Sequence, residues 1–148
     1  MKALLQRVTA GAVKIDGHEV GRIGNGLVIL LGVTHDDDEK HCRYLAEKCA
    51  NLRIFSDADG KMNLSLLEIG GQALIISQFT LYGDSRKGRR PSYTDAAEPS
   101  LAIPLYEMFI KEMRGYGISV ATGRFGADMA VEIHNDGPVT LMVESRQA

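Results

Sequence analysis

Two short, unbroken apolar runs constrain this chain most: Leu27-Val28-Ile29-Leu30-Leu31-Gly32-Val33 and Ala73-Leu74-Ile75-Ile76. Both have strand length and no polar position to face water, which predicts strands covered on both sides. Segments of the half-wet kind surround them. Residues 2–9 and 12–15 alternate, and residues 19–23 follow the turn Asp16-Gly17-His18. Shorter strands are expected at 52–55 and at 118–120, while residues 64–69 are ambiguous. Cys42, Leu45, Cys49 and Leu52 recur at helical spacing, so a helix is predicted over 37–50, with Asp36 and Glu39 at capping-box spacing. A second helix carries Leu101, Leu105, Met108, Phe109 and Met113, with Pro99 in its first turn. Pro104 should kink that helix or reset its start.

The chain has 148 residues, enough for one domain over 1–148 that buries roughly 68–70% of its unfolded surface. Many strands with two helices predict an α+β fold. The expected form is a strongly curved, mostly antiparallel sheet or barrel with two helices packed outside. No GxGxxG or P-loop pattern occurs. A net charge of −2 and a pI near 6.1 do not mark a nucleic-acid binder, but a local patch matters more than the sum. Cys42 and Cys49 read as buried thiols of a reducing compartment. With no leader-like N-terminus and no run of ~20 apolar residues, the expectation is a cytoplasmic protein without membrane contact.

Alternation resumes at Met129, Val131 and Ile133, and again at Val139, Leu141 and Val143. The intervening Asn135-Asp136-Gly137-Pro138-Val139-Thr140 is therefore expected to be a hairpin turn. Gly-Pro is an unusual choice there. It either punctuates a loop or fixes the direction of backbone carbonyls, and X-Pro is the one bond type at which cis costs only ~0.5–1 kcal/mol.

Familiar catalytic constellations fail in turn. His18, His35, His41 and His134 lack metal-ligand spacing, no GxSxG is present, and neither cysteine has an activating partner. Thr80 could serve as a nucleophile, but no base is identifiable beside it. Ser77-Gln78-Phe79-Thr80-Leu81 closes a buried strand, where backbone N–H groups leave the ladder and become oxyanion donors or merely capped ends. Arg86-Lys87-Gly88-Arg89-Arg90 is either a solvated charged loop or a phosphate contact.

Taken together, Ser77-Gln78-Phe79-Thr80-Leu81 and Asn135-Asp136-Gly137-Pro138-Val139-Thr140 closely resemble the two signature motifs of the D-aminoacyl-tRNA deacylases. The likeness spans nearly the whole chain. It includes Gln6-Arg7-Val8, Gly21-Arg22-Ile23-Gly24, Lys87-Gly88-Arg89-Arg90-Pro91 and Phe125-Gly126-Ala127-Asp128-Met129, with Tyr93 where Phe is expected at least as often. The resemblance implies a homodimeric hydrolase, without metal or other cofactor, that cleaves the ester between a D-amino acid and the 3′ end of tRNA. It implies a catalytic role for Ser77, Gln78, Phe79 and Thr80, and a cis Gly137-Pro138 inserted into the partner's site to exclude L-residues. Glycyl-tRNA, with no side chain to exclude, would enter as well. Leu81, Asn135, Val139 and Thr140 would support the motifs. Arg86, Lys87, Arg89 and Arg90 would meet acceptor-stem phosphates. The rival readings are a non-catalytic RNA-binding module and a threonine-nucleophile esterase.

Overall fold

The computed structural model describes residues 1–146. Eight strands and three helices follow in the order β1 (Lys2–Ile15), β2 (His18–Ile23), β3 (Gly26–Gly32), α1 (Glu39–Asn51), β4 (Phe55–Ser56), β5 (Met62–Leu64), α2 (Leu66–Ile69), β6 (Gln72–Ser77), α3 (Pro99–Gly115), β7 (Val120–Thr122) and β8 (Ala130–Glu144). The two expected helices are present, and the ambiguous stretch adds the one-turn α2, capped by Ser65 and Glu68.

Both apolar runs became the paired centre of the sheet. β3 and β6 lie parallel, with Leu27 beside Ala73 and Leu31 beside Ser77. Successive strand side chains point to opposite faces. Leu27, Ile29, Leu31, Ala73 and Ile75 therefore enter the larger core, against Cys42, Leu45 and Cys49 of α1 and Leu105, Phe109 and Met113 of α3. Val28, Leu74 and Ile76 point the other way, into a smaller core inside the curved sheet with Val8, Val13 and Ile23. Each fully buried Leu or Ile contributes roughly 1.5–3 kcal/mol relative to exposure, so the two-faced strands anchor both cores at once. Cys42 and Cys49 are both free and buried, and burial pushes the Cys42 thiol up to about 12 and raises Cys49 as well.

β1 organises the antiparallel part. One of its edges pairs with β3 along residues 2–8 and then with β2 along residues 11–15, while β8 runs along the other edge. The two segments expected over 2–9 and 12–15 are thus one strand that changes partner after Val8. A Cβ on Gly11, where the second pairing starts, would lie 2.9 Å from Val28 Cγ2. β7 adds to β6 in parallel, and β2 closes towards it: a Cβ on Gly21 would lie 2.9 Å from Thr122 O. The sheet is thereby nearly a closed barrel, with both long helices packed against one face.

Two local expectations are corrected and a third is narrowed. Residues 129–143 are not a hairpin, because β8 is a single strand paired with β1 on both sides of the Gly-Pro motif. The alternation was real, but both halves belong to the same strand. The cap of α1 is Asp38, whose side chain accepts the His41 N–H while His41 Nδ1 accepts the Asp38 N–H, so Asp36 and Glu39 do not form the box. Asp37 turns inward instead, binding the Met1 ammonium at 2.8 Å and the Thr34 N–H at 2.8 Å. Finally, α3 begins at Pro99 and continues past Pro104, so that proline does not reset its start. Its apolar face, Ala102, Leu105, Tyr106, Phe109, Ile110 and Met113, is buried along its whole length, and that packing outweighs the missing N–H.

Candidate active site

Parallel strands leave their carboxyl ends together, and loops leaving those ends commonly build a binding crevice. Here β3 exits at Val33, β6 at residues 77–82 and β7 at residues 123–129. Between these exits lie two contiguous hollows sharing Ser77, Phe79, Phe125 and Gly126 as walls. One, about 370 Å³, is apolar and completed by Leu31, Tyr93, Ala97 and Ala102. The other, about 270 Å³, is completed by Gln78, Asp128 and Met129. Phe79, 56% exposed, stands between them with its ring edge-on to Tyr93 at 5.3 Å.

The backbone at Ser77-Gln78-Phe79-Thr80 is decisive. The last ladder-like bond is Gln78 N to Leu31 O at 2.8 Å. The chain then tightens into a 3-10 turn, Phe79–Tyr82, in which Leu81 N is the first to bond back, to Gln78 O. The first N–H groups of any helical turn have no partner within it. No side chain caps this one, so the Phe79 and Thr80 N–H groups are left for a ligand among the described residues. Gly32 lets the turn lie close: a Cβ there would meet Gln78 O at 3.2 Å. The Thr80 hydroxyl accepts a hydrogen bond from Gln78 Nε2. An amide N–H can donate but cannot remove a proton, so Thr80 lacks a base in direct contact. Leu81 packs behind the turn, against Gly32. Among the described residues, no three His, Cys, Asp or Glu side chains gather as a metal site would require.

The second motif lies elsewhere in the chain. Residues 136–139 bulge out of β8 opposite Arg7 alone, because Gln6 pairs with Thr140 and Val8 with Asn135. The Gly137-Pro138 peptide is cis, Gly137 has φ +118°, and both residues are exposed. Asn135 Nδ2 donates to Arg7 O at 2.9 Å and to Val139 O at 3.0 Å, and Thr140 Oγ1 donates to Asn135 Oδ1 at 3.2 Å. Arg7 braces the outside, reaching Asp136 O at 3.3 Å, the Asp136 carboxylate at 3.3 Å and Ile54 O at 2.9 Å. Arg7 was not singled out as a functional candidate in the sequence. Its signal was only its place between two alternating residues, and its bulge partner is 129 positions away. The bulge sits level with Leu27 of β3, whereas Ser77 sits beside Leu31. Four strand residues are about 13 Å, and three strand spacings separate β8 from β6, so one chain does not bring the motifs together.

The basic loop is clasped at its base. Asp84 and Ser92 exchange backbone bonds at 2.7 and 2.9 Å, and Arg86 lies in a bidentate pair with Asp84 at 2.9 and 2.7 Å. The guanidinium holds the Asp84 carboxyl down at about 2. Arg86 is thus a fastener more than a free cation. Lys87, Arg89 and Arg90 are exposed and make no ion pair among the described residues.

At the end of β6, two main-chain N–H groups without a partner among the described residues thus lie next to hollows that Ser77 and Phe79 line. The family model "D-Tyr-tRNA(Tyr) deacylase" matches residues 4–144. The chain is 63% identical over 147 residues to the D-aminoacyl-tRNA deacylase of Fervidobacterium nodosum, covering 99% of both chains. It is 52% identical over 148 residues to that of Clostridioides difficile, covering 100% of this chain and 99% of that one. A solved structure described as "c-Myc DNA Unwinding Element Binding Protein" superposes with a TM-score of 0.93 at 36% identity, covering 99% of this chain and 100% of that one. A probable eukaryotic D-amino acid tRNA deacylase, at 20% identity and TM-score 0.82 over 97% and 98% of the two chains, shares the fold. The chain belongs to the D-aminoacyl-tRNA deacylase family of hydrolases. Among the described residues no helix is long and apolar enough to cross a membrane.

Proposed function

We propose that this protein hydrolyses the ester joining a D-amino acid to the 3′ end of tRNA and that main chain, not a reactive side chain, decides handedness. Water adds to the ester carbonyl carbon, the bond from that carbon to the ribose oxygen breaks, and free D-amino acid and tRNA leave. The observation that carries this reading is the unpartnered Phe79 and Thr80 N–H pair where β6 ends, Phe79 itself lining the apolar hollow. Such donors stabilise the developing oxyanion, typically by about 2.7–4 kcal/mol each. Ser77 holds the strand end, and Gln78 fixes the Thr80 hydroxyl. With no protein base against Thr80, the 2′-hydroxyl of the terminal adenosine is the group placed to help activate water.

Gly137 and Pro138 supply the filter from a second copy of the chain. Their exposure and their distance from Ser77 within one chain support this, as does β8, which pairs only with β1 among the described residues and leaves a long edge open. A rigid carbonyl set against the substrate α-carbon collides with an L side chain and spares a D side chain, so many D-residues are accepted. Glycine passes for the same reason.

Incubation with matched D- and L-aminoacyl-tRNA tests the reading. The D-ester disappears at least ~100-fold faster, which is roughly 2.7 kcal/mol of discrimination. Equal rates overturn it, a pure RNA binder cleaves neither, and a small-molecule esterase needs no tRNA. Lys87, Arg89 and Arg90 would meet backbone phosphates, with Arg86 and Asp84 shaping the loop. The triple change Lys87→Glu, Arg89→Glu, Arg90→Glu weakens tRNA binding and lowers the salt slope of log K by about 2–3. An unaltered slope removes that assignment.

A further inference from the structure

Residues 136–139 have no register partner on β1 beyond Arg7, and a second irregularity lies beside them at Thr9, so side-chain bonds are what tie this stretch down. Arg7 grips its outer limb through Asp136. At the base, a single amide does the closing. Asn135 Nδ2 spans both strands by donating to Arg7 O and Val139 O, so the amide nitrogen faces two carbonyls and only a donor fits there. The amide oxygen accepts a hydrogen bond from the Thr140 hydroxyl, and Thr140 Oγ1 in turn accepts one from Gln6 Nε2 at 3.4 Å. The orientation of Asn135 is therefore fixed from both ends, and with it the spacing between Val8 and Thr140 across which Gly137-Pro138 is carried.

We infer that Asn135, oriented by Thr140, is a positioning residue for enantioselectivity: it sets how far the Gly-Pro wall yields to an L side chain. This rests on the steric-filter reading above. Excluding an L-residue requires a wall that does not move, whereas a D-residue asks only that the wall not be in its way. Loosening the base of the bulge therefore admits the wrong enantiomer faster than it harms the right one. A general loss of structure would instead lower both rates together.

The test compares L- and D-aminoacyl-tRNA hydrolysis in the full-length protein, with glycyl-tRNA as an internal standard. In Asn135→Ala the L:D rate ratio rises at least ten-fold, and in Thr140→Val it rises by a smaller factor, with glycyl-tRNA tracking the D-ester. Pro138→Ala serves as the reference. A ratio unmoved in Asn135→Ala but raised in Pro138→Ala overturns the inference and leaves the filter standing. A ratio unmoved in both removes the filter, and the inference with it. Should Asn135→Ala fail to fold, as judged by its melting curve, Thr140→Val decides, and an unmoved ratio there overturns the inference.

Discussion

A D-aminoacyl-tRNA ending in 2′-deoxyadenosine is expected to be hydrolysed ~10²–10⁴-fold more slowly than its ribose counterpart, the usual worth of a positioned acid or base. Thr80→Ala, by contrast, should lose no more than about ten-fold, since it keeps the backbone N–H that the oxyanion needs. The asymmetry follows from what surrounds Thr80. Its hydroxyl accepts from Gln78 Nε2, a contact that cannot raise its nucleophilicity, and among the described residues no histidine or carboxylate is hydrogen-bonded to it. A kcat effect with KM little changed would locate the 2′-hydroxyl in the chemical step; a pure KM effect would demote it to binding. Complete inactivity of a folded Thr80→Ala protein, with the deoxy substrate cleaved normally, would instead favour an acyl-threonine intermediate.

Much of this was legible in the sequence, and the parts that were not share a cause. β3 and β6 could be read directly because a strand buried on both faces has no polar position to confuse its period. The end of β6 was legible because Ser77, Gln78 and Thr80 interrupt that run where the ladder stops. The bulge was misread as a hairpin turn because alternation reports only which face a residue takes, and says nothing of which strand lies opposite. Only the partner register, Gln6 with Thr140 and Val8 with Asn135, distinguishes one interrupted strand from two. Asp38 displaced Asp36 as the cap because Asp37 is drawn into a buried ion pair, which fixes where the helix can begin. The four cations of the basic loop look equivalent in one dimension. Asp84, two residues away from Arg86, sets that one apart.

Two inactive proteins mixed together should recover roughly a quarter of the original activity. Phe79→Pro removes one oxyanion N–H at the first position of a helical turn, where proline is tolerated, and costs ~10²–10³ in rate. Pro138→Trp places an indole at the exposed tip of the bulge and, if the motif crosses over, fills the partner's hollow. Each homodimer is inactive for a different reason. In a randomly assorted dimer, half the molecules are mixed, and each mixed dimer has one site with normal N–H donors and a normal Gly-Pro wall, giving about a quarter of all sites. Recovery requires that the two motifs of one site come from different chains, which matches their separation of about 13 Å along the strands within one subunit. If the mixture stays inactive after co-refolding while wild-type chains regain activity under the same conditions, Gly137-Pro138 acts within its own subunit. The crossover would then have to be abandoned, even if the D-preference itself survived.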